Sequence, residues 1–214
     1  MQRRDFSFSL AASGLALGLT PALAQGPVSF KSGKDYMTLD RPIPTDVSAG
    51  QVEVIEFFWY SCPHCNAFEP SFEQWRSAAP KHMVVRRVPV SFRSDFEPQQ
   101  RLYYTLEAMG LVNKLHGKVF QAIHTERLAL NTDAAIAAWV AKQGVDAAKF
   151  AETAKSFGVS SKIRRAVQLQ NDYRVEGVPA LGVAGRYYTD GSLANGMDRA
   201  LKVVEFLVAQ SRGK

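Results

Sequence analysis

The sequence predicts an α/β domain interrupted by an all-helical insertion, and three patterns along the chain lead to this prediction. The run from Val52 to Tyr60 is β-branched and aromatic with little alternation, which is typical of a strand covered on both faces. A helical period follows it, and a second β-branched run extends from Met83 to Val90. From about residue 95 to 160 the apolar spacing is helical throughout. We therefore expect a mixed sheet with helices on both faces and an inserted helical cap.

The length and composition fit such a domain. The chain has 214 residues, 46% of them hydrophobic and 21% charged, with a formal net charge of +6 and two cysteines. These values exclude a disordered tail, a multi-span membrane protein and a disulfide-rich scaffold. The basic residues are scattered in pairs such as Arg86–Arg87, without a long run. This pattern favours a solvated surface over nucleic-acid binding.

Residues 1–24 are predicted to be a signal peptide and not part of the fold. Arg3 and Arg4 precede a short apolar run that ends in Pro21–Ala24, a small-x-small cleavage pattern. The run is shorter than the ~20 residues that span a bilayer, so we expect cleavage after Ala24 rather than retention as an anchor. Paired arginines suit both the general secretion route and the twin-arginine route, and both stay open. Export places the mature chain where disulfides persist.

Apolar spacing and helix breakers define the first part of the domain. Residues 25–50 form a lead punctuated by proline and glycine. A helix from about 63 to 79 begins at Pro63, whose missing N–H is harmless in a first turn, and ends before Pro80. The predicted α/β domain comprises residues 51–94 and 161–212, and the helical insertion comprises residues 95–160.

The second part of the domain follows the insertion. Phe150 and Phe157 are assigned to the last short helix of the insertion, and Ser161 is the candidate N-cap of the helix after it. A β-hairpin is then predicted to turn at Ala184–Gly185. Met197–Gln210 forms a closing amphipathic helix.

The two cysteines enclose Pro63 and His64 where the first strand passes into the helix. Residues three apart share a helix face at roughly 5–6 Å, within the separation that a disulfide requires. Cys62 lies at the helix N-terminus, where free N–H groups and the helix dipole favour a thiolate, and Cys65 lies one turn further in. His64 adds a donor or a positive charge that lowers the Cys62 pKa further. We therefore expect Cys62 to be the nucleophile and Cys65 its resolving partner.

A lowered Cys62 pKa also sets the direction of the reaction. Each unit stabilises the thiolate by about 1.4 kcal/mol, which is roughly 30 mV toward oxidising character. A stabilised thiolate is a good leaving group, so the oxidised protein gives its disulfide away. Three other uses of the cysteines stay open: a zinc site, a structural bridge and a pair of inert buried thiols. Zinc lacks a second ligand pair at the usual spacing, and the loop is too small for an effective staple.

Three further features carry possible chemistry. Glu56 lies inside an apolar run, either as a buried acid that exchanges a proton with Cys65 or as a side chain that reaches solvent at a strand end. Val178–Pro179 precedes a strand and is predicted to form a tight turn. His116 and His124 share a helix face, and we interpret them as surface or capping side chains.

Together these motifs resemble the bacterial periplasmic thiol-disulfide oxidoreductases of the DsbA family, in the thioredoxin superfamily. The resemblance depends on Glu56–Phe58 leading into Cys62–Cys65, on the size of the insertion and on Gly177–Pro179 before a hairpin. It extends from about Tyr36 to Leu207 and implies a thioredoxin fold. It implies that Cys62 is the nucleophile, that Cys65 is its partner, and that Pro63 and His64 between them favour an oxidant. It also implies that Glu56 is a buried acid. The Val178–Pro179 bond is expected to be cis, and the Val178 backbone is expected to pair with an extended client.

The same resemblance implies an activity and its partners. Unfolded exported proteins with free thiols are the expected clients, and a quinone-linked membrane protein resembling DsbB is the expected reoxidant. The redox-active disulfide is the only prosthetic chemistry implied, and the expected state is a monomer. Two alternatives stay open: a disulfide isomerase or reductase of the same fold, and a periplasmic chaperone or binding module whose cysteines are incidental.

Overall fold

The structure, a computed structural model, describes residues 29–212, in which a five-stranded mixed sheet is combined with seven α-helices. The predicted signal peptide, residues 1–24, lies outside the described residues. None of the helices in residues 29–212 has the length and apolar character needed to cross a bilayer. The predicted α/β class with inserted helices is confirmed.

The sheet has the order β1-β5-β4-β2-β3. Strand β3 is parallel to β2, whereas β4 is antiparallel to β2, and the remaining pairs are antiparallel. Every residue of β2 is buried, because β2 has a neighbour on each side and helices or loops on each face. The strands are β1 (Met37–Thr38), β2 (Val52–Phe58), β3 (Met83–Pro89), β4 (Ala180–Val183) and β5 (Tyr187–Asp190).

The helices form two groups. One group packs on the sheet directly and the other forms the insertion between β3 and β4. The sheet helices are α1 (Pro63–Ser77) and α7 (Met197–Arg212), and the inserted ones are α2 (Glu97–Ala108), α3 (Val112–His124), α4 (Asp133–Lys142), α5 (Ala147–Ala154) and α6 (Phe157–Asp172).

Helix α6 begins earlier than the sequence pattern indicated. Its N-cap is Ser156, whose side chain accepts a hydrogen bond from the Val159 N–H at 3.3 Å. The predicted start at Ser161 is therefore wrong, and Phe157 belongs to α6 rather than to the helix before it. Phe157 is 81% exposed, so its apolar side chain did not mark a core position. The expected domain boundary at residues 160 and 161 falls within this helix.

Two apolar clusters meet at β2. Ile55 and Phe57 belong to the cluster that includes the inserted helices, and Val52 and Val54 belong to the cluster formed with α1 and α7. The strand ends at Phe58, and a short turn then leads into α1. The start of α1 therefore lies where the inserted helices and the sheet helices come together.

Candidate active site

Cys62 is the N-cap residue of α1. Its backbone is extended, with φ −78° and ψ 119°, and Pro63 occupies the first turn of the helix. The Cys62 Sγ accepts a hydrogen bond from the Cys65 N–H at 3.3 Å. The sulfur therefore faces the free N–H groups at the start of α1, which stabilise negative charge.

The two thiols have opposite environments. The pKa of Cys62 is lowered to about 6, first by a hydrogen bond with the Cys65 thiol, then by the backbone N–H groups of Cys65 and His64, and last by the charge on the His64 ring. Cys65 has no exposed surface, and this burial raises its pKa. Both cysteines are free, so the structure represents the reduced form. At neutral pH this reduced site holds a thiolate at Cys62 and a neutral thiol at Cys65.

The loop before β4 lies against the Cys62 sulfur. The Cys62 Sγ lies 3.4 Å from the Val178 carbonyl oxygen, which accepts a hydrogen bond from the sulfur only in its protonated form, and the Val178–Pro179 peptide bond is cis. A groove of about 370 Å³ follows this loop, and His64 and Met197 contribute to its walls. A backbone carbonyl and an open groove thus lie beside the Cys62 sulfur.

Glu56 is a buried acid and does not reach solvent. It is 1% exposed and accepts a hydrogen bond from the Arg87 Nε at 3.0 Å. Burial raises the pKa of Glu56 to about 8, and the Arg87 charge opposes that rise. The interpretation of Glu56 as a solvent-facing side chain at a strand end is therefore wrong.

Arg87, itself buried, is the centre of a charge cluster that the sequence analysis did not identify. Its Nη2 donates to a carboxylate oxygen of Glu69 at 2.7 Å and of Glu73 at 2.9 Å. Only 6% of Arg87 is exposed, so the prediction of a solvated Arg86–Arg87 pair is wrong for Arg87. Its position opposite Glu56 in the parallel β2–β3 register explains the burial.

His116 is also buried, which contradicts its interpretation as a surface or capping side chain. Its Nδ1 lies 2.8 Å from the Tyr60 hydroxyl oxygen, and its Nε2 lies 3.4 Å from a Glu69 oxygen. A wider spacing pattern could have indicated this, because His116, Phe120 and His124 recur every four residues on α3. His124 lies at the active-site turn, with its Nε2 2.8 Å from the Tyr60 carbonyl oxygen.

Gln99 of α2, in the insertion, also holds the turn between β2 and α1. The Gln99 side chain accepts from the Ser61 N–H at 3.2 Å and donates to the Ser61 hydroxyl at 2.7 Å and to the Leu130 carbonyl at 3.0 Å. Gln99 is almost fully buried. The residue just before Cys62 is thus fixed by an inserted helix.

Comparisons with known proteins agree with this fold. A family model described as a DSBA-like thioredoxin domain matches residues 53–207. The chain is 44% identical to the thiol:disulfide interchange protein DsbA of Bordetella pertussis, over 99% of this chain and the whole of that protein. Its identity to the DsbA of Burkholderia cepacia is 41%, over 94% of this chain and 95% of that one. A crystal structure of Pseudomonas aeruginosa DsbA is similar at a TM-score of 0.81 and 36% identity, covering 86% of this chain and 95% of that one.

Proposed function

Since this chain belongs to the DsbA-like thioredoxin family, we propose that it oxidises dithiols in exported proteins by transferring a Cys62–Cys65 disulfide. The chain is a thiol:disulfide oxidoreductase, and the proposal concerns the residues and the route. One observation carries it: the Cys62 sulfur is the N-cap acceptor of α1, whereas Cys65 is buried behind it. This asymmetry supports attack at Cys62 and release of Cys65.

The reaction has two exchange steps. A client thiolate attacks the Cys62 sulfur of the oxidised protein, the Cys62–Cys65 bond breaks, and Cys65 takes a proton from Glu56. The client's second thiolate then attacks the client sulfur of the mixed disulfide, and Cys62 leaves as a thiolate. The client loses two electrons and forms a disulfide, while the protein becomes a Cys62 thiolate and a Cys65 thiol.

Binding of the client is assigned to the groove beside Val178. An extended client segment pairs with the Val178 backbone, and the residues flanking its cysteine lie in the groove toward His64 and Met197. Pro63 starts the helix that aims the Cys62 sulfur, and the His64 charge adds to the stabilisation of the thiolate. Clients are unfolded periplasmic proteins with free thiols, and a membrane-bound, quinone-linked protein resembling DsbB restores the disulfide.

The test distinguishes the role of Cys62 from the role of Cys65. The oxidised wild type is mixed with a reduced peptide that carries two cysteines, and the peptide disulfide is followed by mass spectrometry. Cys62→Ala is expected to lower the rate to that of the peptide alone. Cys65→Ala, loaded as a mixed disulfide with glutathione at Cys62, is expected to accumulate a peptide–Cys62 adduct with a peptide that carries a single cysteine, because glutathione leaves and no second thiol then releases the peptide. Full activity of Cys62→Ala in a cellular folding assay would overturn the proposal and favour a binding module.

The isomerase or reductase alternative is tested by the redox equilibrium with glutathione. We expect a potential well above that of thioredoxin, because a stabilised Cys62 thiolate favours the reduced protein. A potential near that of thioredoxin, or a stable dimer in analytical ultracentrifugation, would favour the alternative.

A further inference from the structure

We propose that His116 is a positioning residue for the exchange reaction: its neutral ring holds Glu69, so that Arg87 stays available to Glu56. The inference rests on the proposed role of Glu56 as the proton donor to Cys65. If so, α3 of the insertion takes part in proton transfer to Cys65, although it lies outside the cysteine motif.

The geometry places His116 between the insertion and the charge cluster. The ring is 4% exposed and lies among the aromatic rings of Phe58, Tyr103 and Phe120, at centroid separations of 5.2, 5.9 and 5.3 Å. The only carboxylate within 4 Å of its ring nitrogens, among the described residues, is that of Glu69. The facing atoms, His116 Nε2 and Glu69 Oε2, are both buried and have no hydrogen-bond partner in the described part of the chain. The His116 Nε2 is therefore positioned to donate a hydrogen bond to the Glu69 Oε2.

The Tyr60 hydroxyl selects the tautomer of His116. Among the described residues the His116 Nδ1, at 2.8 Å, is the only hydrogen-bond partner of the Tyr60 hydroxyl, so the hydroxyl donates its proton to that nitrogen. A ring that accepts at Nδ1 carries its hydrogen at Nε2, the atom that faces Glu69. Burial also lowers the pKa of His116, which favours the neutral ring. His116 thus presents an N–H, and not a lone pair, to the Glu69 carboxylate.

The charges of the cluster explain why this N–H matters. Glu73 is already paired with Arg76, whose Nη2 lies 2.7 Å from a Glu73 oxygen. Arg87 also bonds Glu73, at 2.9 Å, but it is the one guanidinium in contact with the buried Glu56 and the partly buried Glu69. When Glu56 gives its proton to Cys65, both of these carboxylates are charged. A hydrogen bond from the His116 N–H to Glu69 stabilises the Glu69 carboxylate, which then depends less on Arg87. The Arg87 charge can therefore stabilise the deprotonated Glu56 more strongly.

The neighbours of His116 on each packed element contribute to this balance. Its own helix, α3, carries Lys114 and Lys118, which are exposed, and His124, whose Nε2 lies at the Tyr60 carbonyl. The ionisable groups that face it are Glu69 and Glu73 of α1, Arg87 of β3, Glu56 of β2, Tyr103 of α2 and Tyr60 of the turn.

The test measures the pH at which proton donation fails. Oxidised protein is mixed rapidly with a dithiol peptide from about pH 5 to about pH 10, and the rate is divided by the thiolate fraction of the peptide. The wild-type rate is expected to fall as Glu56 loses its proton, and Glu56→Gln is expected to lack this step. His116→Phe, which keeps the ring shape, is expected to move the midpoint upward by about one pH unit, because Glu56 holds its proton more tightly. His116→Gln can accept from Tyr60 and donate to Glu69, so it is expected to keep the wild-type midpoint.

The outcomes separate the two proposals. If Glu56→Gln leaves the profile unchanged, the role of Glu56 is wrong and the inference falls with it. If Glu56→Gln removes the step but His116→Phe does not move it, or moves it no further than His116→Gln does, the inference alone is overturned. Should His116→Phe fail to fold, Glu69→Gln provides the second arm. It frees Arg87 for Glu56 and is expected to lower the midpoint, and an unchanged midpoint would overturn the inference.

Discussion

At the scale of single residues, the asymmetry between the two cysteines depends more on hydrogen bonds and burial than on the charge of a neighbouring side chain. The position of Cys62 at the N-cap could be predicted from the sequence, because Pro63 and the strand before it locate the helix start. The order of the causes that lower its pKa could not. The hydrogen bonds from Cys65 and from backbone N–H groups come before the His64 charge, and their order depends on geometry within one turn.

This order gives a prediction for titration of the Cys62 thiolate by its ultraviolet absorbance. The wild-type midpoint is expected near the pKa of about 6. His64→Ala is expected to raise the midpoint by less than Cys65→Ala does, since Cys65 supplies the largest favourable contribution. The reverse order would mean that the His64 charge dominates the site.

Buried polar residues mark the limit of what the sequence could reveal at this scale. Glu56 was noticeable because its neighbours in the strand are apolar, so a buried acid was one of two interpretations. Arg87 was not noticeable, because a pair of arginines is ordinary on a surface and its burial depends on strand register. His116 lies next to Leu115 on α3, and the apolar face is wide enough to include it.

At the scale of elements, the turn before Cys62 is held by helices that lie far away in sequence. Gln99 is bonded to Ser61, and His124 lies at the Tyr60 carbonyl. Both contacts join the insertion to the two residues that precede the nucleophile. Such pairing is not visible in a sequence pattern, because it depends on how the insertion docks.

Gln99→Leu is expected to loosen this turn. It leaves the Ser61 N–H and the Leu130 carbonyl without the Gln99 side chain, at a cost in unfolding free energy on the order of 2 kcal/mol, and it is expected to raise the midpoint of the Cys62 titration. Gln100→Leu is the matched control, because Gln100 is equally buried and donates to the Pro89 carbonyl at 2.7 Å without touching the turn.

Both substitutions are expected to lower stability in urea, but only Gln99→Leu is expected to move the Cys62 midpoint. Equal midpoints for the two variants would mean that the insertion does not position the nucleophile.

The first strand–helix–strand unit and the hairpin were predictable because local patterns define them. Long apolar runs predicted β2 and β3, and a turn at Ala184–Gly185 predicted the hairpin; Ala184 adopts φ 53° there and Gly185 φ 63°. Strand β1 has two residues, both exposed, and no periodicity can reveal it. The start of α6 was missed because Ser156 and Ser161 are both plausible N-caps.

At the scale of the whole molecule, the lowered pKa of Cys62 connects the redox state to stability. The reduced, folded protein keeps a thiolate that the unfolded chain does not favour below its own higher pKa. This contribution is fully present above the unfolded pKa and is lost as the pH falls through about 6. An oxidised protein has no such thiolate.

The reduced protein is therefore expected to be more stable than the oxidised protein, by a margin that grows as the pH rises from about 6 toward the unfolded value. Urea unfolding of both forms at several pH values measures the margin. The double variant Cys62→Ala/Cys65→Ala controls for the rest of the chain and is expected to show no dependence on redox buffer. A margin that shrinks over the same pH range would contradict the thiolate assignment.

The edges of the sheet have a consequence for the proposed role of this protein among unfolded chains. Strand β1 offers two residues, and β3 carries Arg86 and Arg87 and ends at Pro89. Short, charged and proline-ended edges are poor templates for adding another strand. An extended client therefore finds little to pair with along the sheet margins, and aggregation by edge pairing is discouraged. Under the proposed function, clients are then captured at the Val178 carbonyl beside Cys62 rather than along the sheet margins.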